Sequence, residues 1–175
     1  AYQVATVNIY NRLSQSAVPD KPDLVIWPES ATPFYFLYEV DPSDLVMEGI
    51  RRVNTEFLFG SPSFVRNDDI VKYYVSAYLV NPQDKTISRY DKVHLVPYGE
   101  YVPFKKWLPF LGKFVVQAGD FAPGEKGKPI PWRDGGLGVQ ICYEIIFPEL
   151  SRAMVKNNAT LLINITNDAW FGKTS

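Results

Sequence analysis

Three residues of complementary chemistry stand at strand ends in this chain. The single cysteine, Cys142, closes the run Leu137 to Ile141, and Tyr143-Glu144 supplies a polar corner directly after it. Glu29 follows Leu24-Val25-Ile26-Trp27-Pro28, and Lys92 lies in Tyr90-Asp91-Lys92-Val93-His94. A thiol can attack a carbonyl carbon, and a partly desolvated glutamate can take and return the thiol proton. An ammonium, with a backbone N–H just past the nucleophile, can hold the negative charge that develops on oxygen. Each residue alone also has an ordinary reading: a cysteine packed as a small hydrophobe, a strand-end carboxylate in solvent, a solvated lysine. Their coincidence at strand ends favours the chemical one.

Two further groups stand near these. His94 is the only histidine and offers a Cys–His pair of the papain kind. No local signature accompanies it, and the pairing would leave Glu29 and Lys92 without a task. Its ring is therefore expected to pack or hydrogen-bond beneath the loop. Glu100 is either a loop-surface charge or a second carboxylate that orients Lys92 or assists Glu29.

The bulk composition narrows the classes. A chain of 175 residues suits one domain with a sizeable core. Its 18 basic and 19 acidic residues give a net charge of -1, and no basic stripe argues for nucleic acid. One cysteine excludes an internal disulfide and a cysteine-rich zinc site, and one histidine makes a histidine-based metal site a poor candidate. No stretch reaches the roughly 18 to 20 apolar residues that span a bilayer. No signal peptide is visible at the start.

The elements that must position these groups alternate along the chain. Residues 2–16 read as an amphipathic helix with Tyr2, Ala5, Ile9 and Leu13 on one face. Pro19 to Pro22 breaks it and leads into the strand Leu24 to Trp27. Pro42-Ser43-Asp44 starts a second helix of about a dozen residues carrying Leu45, Ile50 and Val53. Phe57 to Gly60 and Ile70 to Asn81 read as strands joined in a hairpin at Asn67-Asp68-Asp69, and Thr86 to Tyr90 returns. The stretch 96–128 is without periodicity, as a functional loop or lid would be. Pro129 to Trp132, a turn at Asp134-Gly135-Gly136, the Cys142 strand, a helix near 147–157 and the strand Leu161 to Thr166 complete the chain. The pattern is that of an α/β layer protein with a mixed sheet, its chemistry at the strand ends. A helix at the start suggests that a strand precedes it.

Four motifs occur in order: Trp27-Pro28-Glu29-Ser30-Ala31, then Asp91 to Pro103, then Ile141-Cys142-Tyr143-Glu144, then Asn167-Asp168-Ala169-Trp170-Phe171-Gly172. Together they resemble the nitrilase, or carbon–nitrogen hydrolase, superfamily, and within it the periplasmic catalytic domain of the apolipoprotein N-acyltransferases. The resemblance implies an αββα sandwich, of which residues 1–175 would be a single catalytic domain truncated at both ends. It implies a triad of Glu29, Lys92 and Cys142, with supporting roles for Glu100, Tyr143 and Glu144, and no cofactor or metal. It further implies a phospholipid acyl donor and a diacylglyceryl apolipoprotein acceptor. The setting would be the bacterial inner membrane, held through segments absent from this chain, with the domain facing the periplasm. Phe147-Pro148-Glu149 is closer to the soluble amidases, so hydrolysis of a small amide is the alternative.

The loop 98–121 bears on the donor. Trp107, Phe110, Leu111 and Phe114 fit helical spacing, although Pro109 interrupts it, and Lys105, Lys106 and Lys113 are interspersed. Either they pack over the domain, or they form a lid that dips into a lipid interface. Trp107, Phe110, Phe114 and Trp170 are the candidate lipid-binding residues.

Overall fold

The computed structural model describes residues 2–68, 70–97, 99–101 and 121–167. Two helices come early, α1 (Tyr2–Ser16) and α2 (Val40–Val53), separated by the short strand β1 (Leu24–Ile26). The long hairpin β2 (Glu56–Asn67) and β3 (Ile70–Val80) follows, then β4 (Ile87–Asp91). After the loop come β5 (Ile130–Trp132), β6 (Gly135–Ile141), a 3-10 turn over Cys142–Ile146, α3 (Pro148–Lys156) and β7 (Ala159–Ile165).

The strands form two sheets, one in the order β1-β2-β3-β4 and the other β5-β6-β7. Both are mixed: β1 runs parallel to β2 and β6 to β7, whereas the remaining pairs are antiparallel. Strand alternation decides what lies between the layers. Leu58, Ala77, Leu79 and Tyr90 of the first sheet pack on Leu137, Val139, Ile141, Ile163 and Ile165 of the second. On the other face of the first sheet, Phe57, Phe59, Tyr78 and Val80 pack on Val7 of α1 and on Val46, Ile50 and Val53 of α2. On the outer face of the second sheet, a Cβ at Gly138 would meet Met154 of α3 at 3.2 Å, so that helix closes the fourth layer. The expected αββα sandwich is the observed one, and the Ser76, Tyr78, Val80 face of β3 is separate from its Val75, Ala77, Leu79 face as the alternation requires.

The structure corrects four local expectations. Tyr2, Ala5, Ile9 and Leu13 do not form the inward face of α1; they are exposed, and Val7, Asn11 and Ser14 are buried instead. The reason is that α1 approaches its neighbours through small and polar groups. Asn11 lies against Gly49 and donates to the Leu45 carbonyl at 3.0 Å, while Ser14 accepts from Trp27 Nε1 at 2.9 Å. The strand expected to stop at Gly60 continues to Asn67, because Ser61 and Ser63 find buried partners in Phe34 O and Ser76 Oγ. The second helix begins at Val40 rather than at Pro42. Finally, Gly135 and Gly136 pair with Trp132 and Pro131 in the ladder, which leaves Arg133 and Asp134 as the turn.

Candidate active site

Each triad residue leaves its strand by a different device. After β1 the ladder continues for one bond, Trp27 N to Leu58 O at 2.8 Å, and then Pro28 ends it, having no N–H to give. The Pro28–Thr32 turn folds onto Gly60 of β2. Gly60 N donates to Pro28 O at 3.2 Å, and Thr32 returns through its N–H at 3.2 Å and its hydroxyl at 3.1 Å to Gly60 O. A Cβ at Gly60 would lie 2.7 Å from both Glu29 Cα and Ser30 N, closer than van der Waals contact allows. Glycine there is what lets Glu29 sit where it does.

Lys92 follows β4 and is held from both sides of its backbone. Its N–H donates to Val75 O at 2.8 Å, and its carbonyl accepts from Gly124 N at 2.9 Å. A Cβ at Gly124 would meet the Asp91 carbonyl, so this crossing also depends on glycine. Asp91 beside it is anchored by Ser76 Oγ at 2.6 Å and by Arg89. Cys142 follows β6 and turns the chain with a positive φ of 54°. That conformation costs a non-glycine residue about 1–2 kcal/mol, and it lifts the side chain off the strand line.

These three ends converge. Lys92, only 1% exposed, places its Nζ 2.6 Å from Glu100 Oε1 and 3.8 Å from Glu29 Oε1. Glu29 is 7% exposed, accepts from Asn167 N at 3.2 Å and is hydrogen-bonded to Cys142. Glu100 keeps its second oxygen on Val96 N at 2.9 Å. Burial pushes the Glu29 carboxyl above the ordinary carboxylate range; Lys92 pulls it down, Glu100 pushes it up, and the Asn167 and Cys142 hydrogen bonds pull it down again. A carboxyl held above its usual value, in contact with a thiol, is suited to accept and return that proton.

Glu144 lies beneath the site and is fully buried. Its carboxylate accepts from Tyr90 Oη at 2.9 and 3.0 Å, Val93 N at 2.7 Å, His94 N at 3.0 Å and Ile141 N at 2.9 Å. Burial, and then Glu144 itself, drives the Tyr90 phenol far above its usual pKa, so it remains a donor. Tyr143 turns its ring to the surface against Phe147, at 5.2 Å. His94 stacks on Phe147 at 4.0 Å, with Nε2 3.9 Å from Glu149. Its buried Nδ1 has no hydrogen-bond partner among the described residues.

The structure therefore brings together Glu29, Lys92, Cys142 and Glu100, and places Glu144 under them. Trp107, Phe110, Phe114 and Trp170 lie outside the described residues, as do residue 98 and residues 102–120 of the expected lid. Sequence reasoning missed Gly60, Gly124, Tyr90, Asn164 and the Asn167 backbone. Only Tyr90 had a usable signal, as an aromatic residue with a hydroxyl on the inward side of a strand.

A two-sheet sandwich with a glutamate, a lysine and a cysteine meeting at its strand ends is the architecture of a carbon–nitrogen hydrolase, and the sequence profile of that family matches residues 3–175. The chain belongs to the carbon–nitrogen hydrolase family. Among curated proteins it is similar to apolipoprotein N-acyltransferase of Geobacter metallireducens, with 47% identity over 176 residues covering 100% of this chain and 34% of that protein. The chain thus spans about a third of the length of that relative. Among solved structures it resembles a carbon–nitrogen hydrolase from Helicobacter pylori G27, with TM-score 0.65, 21% identity and coverage of 93% of this chain and 54% of that one. It also resembles a variant of the Nesterenkonia AN1 amidase from the nitrilase superfamily, with TM-score 0.64, 18% identity and coverage of 97% and 64%.

Two outcomes test this geometry in the full-length protein. Gly60→Ala must push the Glu29 turn outward, and acylation of Cys142 by a water-soluble ester should slow about 10²-fold, the usual cost of a misplacement near 1 Å. Unchanged acylation would show that the turn has room to spare. Glu100→Gln removes a charge that holds the Glu29 carboxyl up and leaves Lys92 to Glu29. The acid limb of the pH–rate profile, set by loss of the Glu29 base as pH falls, should therefore move to lower pH. A limb that stays or moves up would contradict the assignment.

Proposed function

We propose that this chain is the catalytic part of an N-acyltransferase that moves a fatty acyl chain from a phospholipid to the α-amine of a diacylglyceryl-cysteine on an apolipoprotein. The observation that carries the reading is the meeting of Glu29, Lys92 and Cys142 in a chain 47% identical along its length to a protein named apolipoprotein N-acyltransferase. The surroundings of the nucleophile suit an apolar donor: Tyr143, Ile145 and Ile146, beside Cys142, are 40%, 59% and 56% exposed.

In the first half-reaction Glu29 takes the thiol proton as Cys142 Sγ attacks the ester carbon of the phospholipid. The oxyanion is met by Lys92 and by the backbone N–H that follows Cys142. Collapse breaks the ester C–O bond, Glu29 protonates the departing lysophospholipid oxygen, and a thioester remains on Cys142. In the second half-reaction the lipoprotein amine attacks that thioester and Glu29 accepts its proton. The C–S bond breaks, the proton returns to sulfur, and the amide leaves. Splitting one difficult transfer into two is the gain of covalent catalysis. Among the described residues no helix is long and apolar enough to cross a membrane. The proposal assigns the anchoring in a bacterial inner membrane, with this domain on the periplasmic side, to parts of the protein that this chain does not span.

Full-length protein incubated with dipalmitoyl phosphatidylethanolamine should carry a palmitoyl adduct on Cys142, labile to neutral hydroxylamine and absent from Cys142→Ser. An adduct persisting in that variant would exclude Cys142 as nucleophile. Glu29→Gln and Lys92→Ala should each lower turnover by about 10³-fold or more. His94→Asn should retain measurable turnover, and its complete loss would reopen the choice of base. Release of free fatty acid, with no N-acylation of a diacylglyceryl peptide supplied in excess, would replace the acyltransferase with a hydrolase.

A further inference from the structure

The β6–β7 register pairs Gln140 with Asn164 and Ile141 with Ile165. Ile141 and Ile165 are buried in the core between the sheets, so strand alternation turns Gln140 and Asn164 to the outer face, the face that α3 covers. Both amides are used on the turn that carries the nucleophile. Gln140 Nε2 donates to Glu144 O at 3.1 Å, and Asn164 Nδ2 donates to Cys142 O at 3.2 Å. The second bond fixes a direction. It draws the Cys142 carbonyl outward, and in a planar trans peptide the N–H of the next residue points the opposite way. The Tyr143 N–H is thereby aimed inward, toward the side from which the first sheet delivers Glu29 and Lys92. Outside the regular hydrogen bonds of helices and strands, no described residue accepts from that N–H. Asn164 Oδ1 has no partner among the described residues either, so the side chain's hydrogen bonding there is spent on the Cys142 carbonyl.

We propose that Asn164 is a positioning residue that sets the orientation of the Cys142–Tyr143 peptide and so creates the oxyanion donor at Tyr143 N. The inference rests on the reading of Cys142 as a nucleophile toward carbonyl carbon. Among the described residues the Asn164 side chain makes no hydrogen bond to the thiol or to Glu29. Its loss leaves the proton transfer from Cys142 in place and frees the peptide to rotate its N–H away from the developing oxyanion. Reactions of the thiol that build an oxyanion should therefore suffer, and reactions that do not should be spared.

The test compares two reagents on full-length protein in detergent. p-Nitrophenyl butyrate acylates Cys142 through a tetrahedral oxyanion, whereas iodoacetamide alkylates it by displacement at a saturated carbon, with no oxyanion. Two variants remove the donor differently: Asn164→Leu keeps the site neutral, and Asn164→Asp keeps its shape. In both, acylation should fall by about 10- to 100-fold, below or near the loss seen when an oxyanion donor is deleted outright. Alkylation should stay within about threefold of the parent. A parallel fall in both reactions, or no fall in acylation, overturns the role of Asn164 alone. A parent protein alkylated at Cys142 but never acylated by the ester overturns the nucleophile reading, and this inference with it.

Discussion

The arrangement depends first on one buried carboxylate. Glu144 sits at the end of the second sheet, yet three of its four donor groups, Tyr90 Oη, Val93 N and His94 N, belong to β4 and the loop after it. The fourth, Ile141 N, is on the strand that ends at Cys142. One side chain thus fixes the strand end bearing the lysine against the strand end bearing the thiol. Hydrophobic burial holds the two sheets face to face, but it is non-directional and tolerates sliding. Hydrogen bonds to a charged group are directional, worth about 1.5–3 kcal/mol each, and costly to leave unmade in a dry interior. The apolar core gives the sandwich its thickness, and Glu144 gives it a register.

The same division recurs at the other two supports. Glu29 and Lys92 are not placed by packing of their own side chains so much as by close backbone crossings at Gly60 and Gly124. A crossing of that kind admits little adjustment, since any side-chain atom at the glycine displaces main chain rather than a movable side chain. Cys142 is held in a left-handed conformation that its own residue type disfavours, stabilised by Glu144 below and by the Gln140 and Asn164 amides outside. Backbone strain at a reactive residue persists when its surroundings over-determine it, and here three side chains do so.

Much of this was legible in the chain because apolar runs that stop at polar corners mark strand ends wherever they occur. Glu29 and Cys142 could be picked out on that ground and Lys92 as the end of the returning strand, while the Asn67-Asp68-Asp69 turn gave the hairpin and the alternation after Ile70 gave the two faces of β3. What escaped was whatever depends on small or polar groups at close range. The inner face of α1 was misplaced because Asn11 and Ser14 carry it, while the residues a hydrophobic pattern selects are on the outside. β2 appeared to end at Gly60 because Ser61 and Ser63 look like loop residues until their buried partners are known. Asn164 gave no signal, since its partner is 22 residues away and an asparagine in an apolar strand reads as an interruption. The supporting role implied for Glu144 acquires its physical content only when the two sheets are brought together.

Lys92 places one ammonium between two carboxyl groups, those of Glu29 and Glu100. In the proposed reaction the thiol proton passes to Glu29, and the negative charge that Glu29 gives up reappears on sulfur and then on the carbonyl oxygen. The sum over the cluster is the same before, during and after attack. No ion has to be brought from water into a pocket where a bare charge would cost several kcal/mol; one already present is relocated near a fixed cation. The chemical step is isoelectric in that sense, and the dependence of the overall rate on ionic strength belongs to the encounter with substrate rather than to bond making.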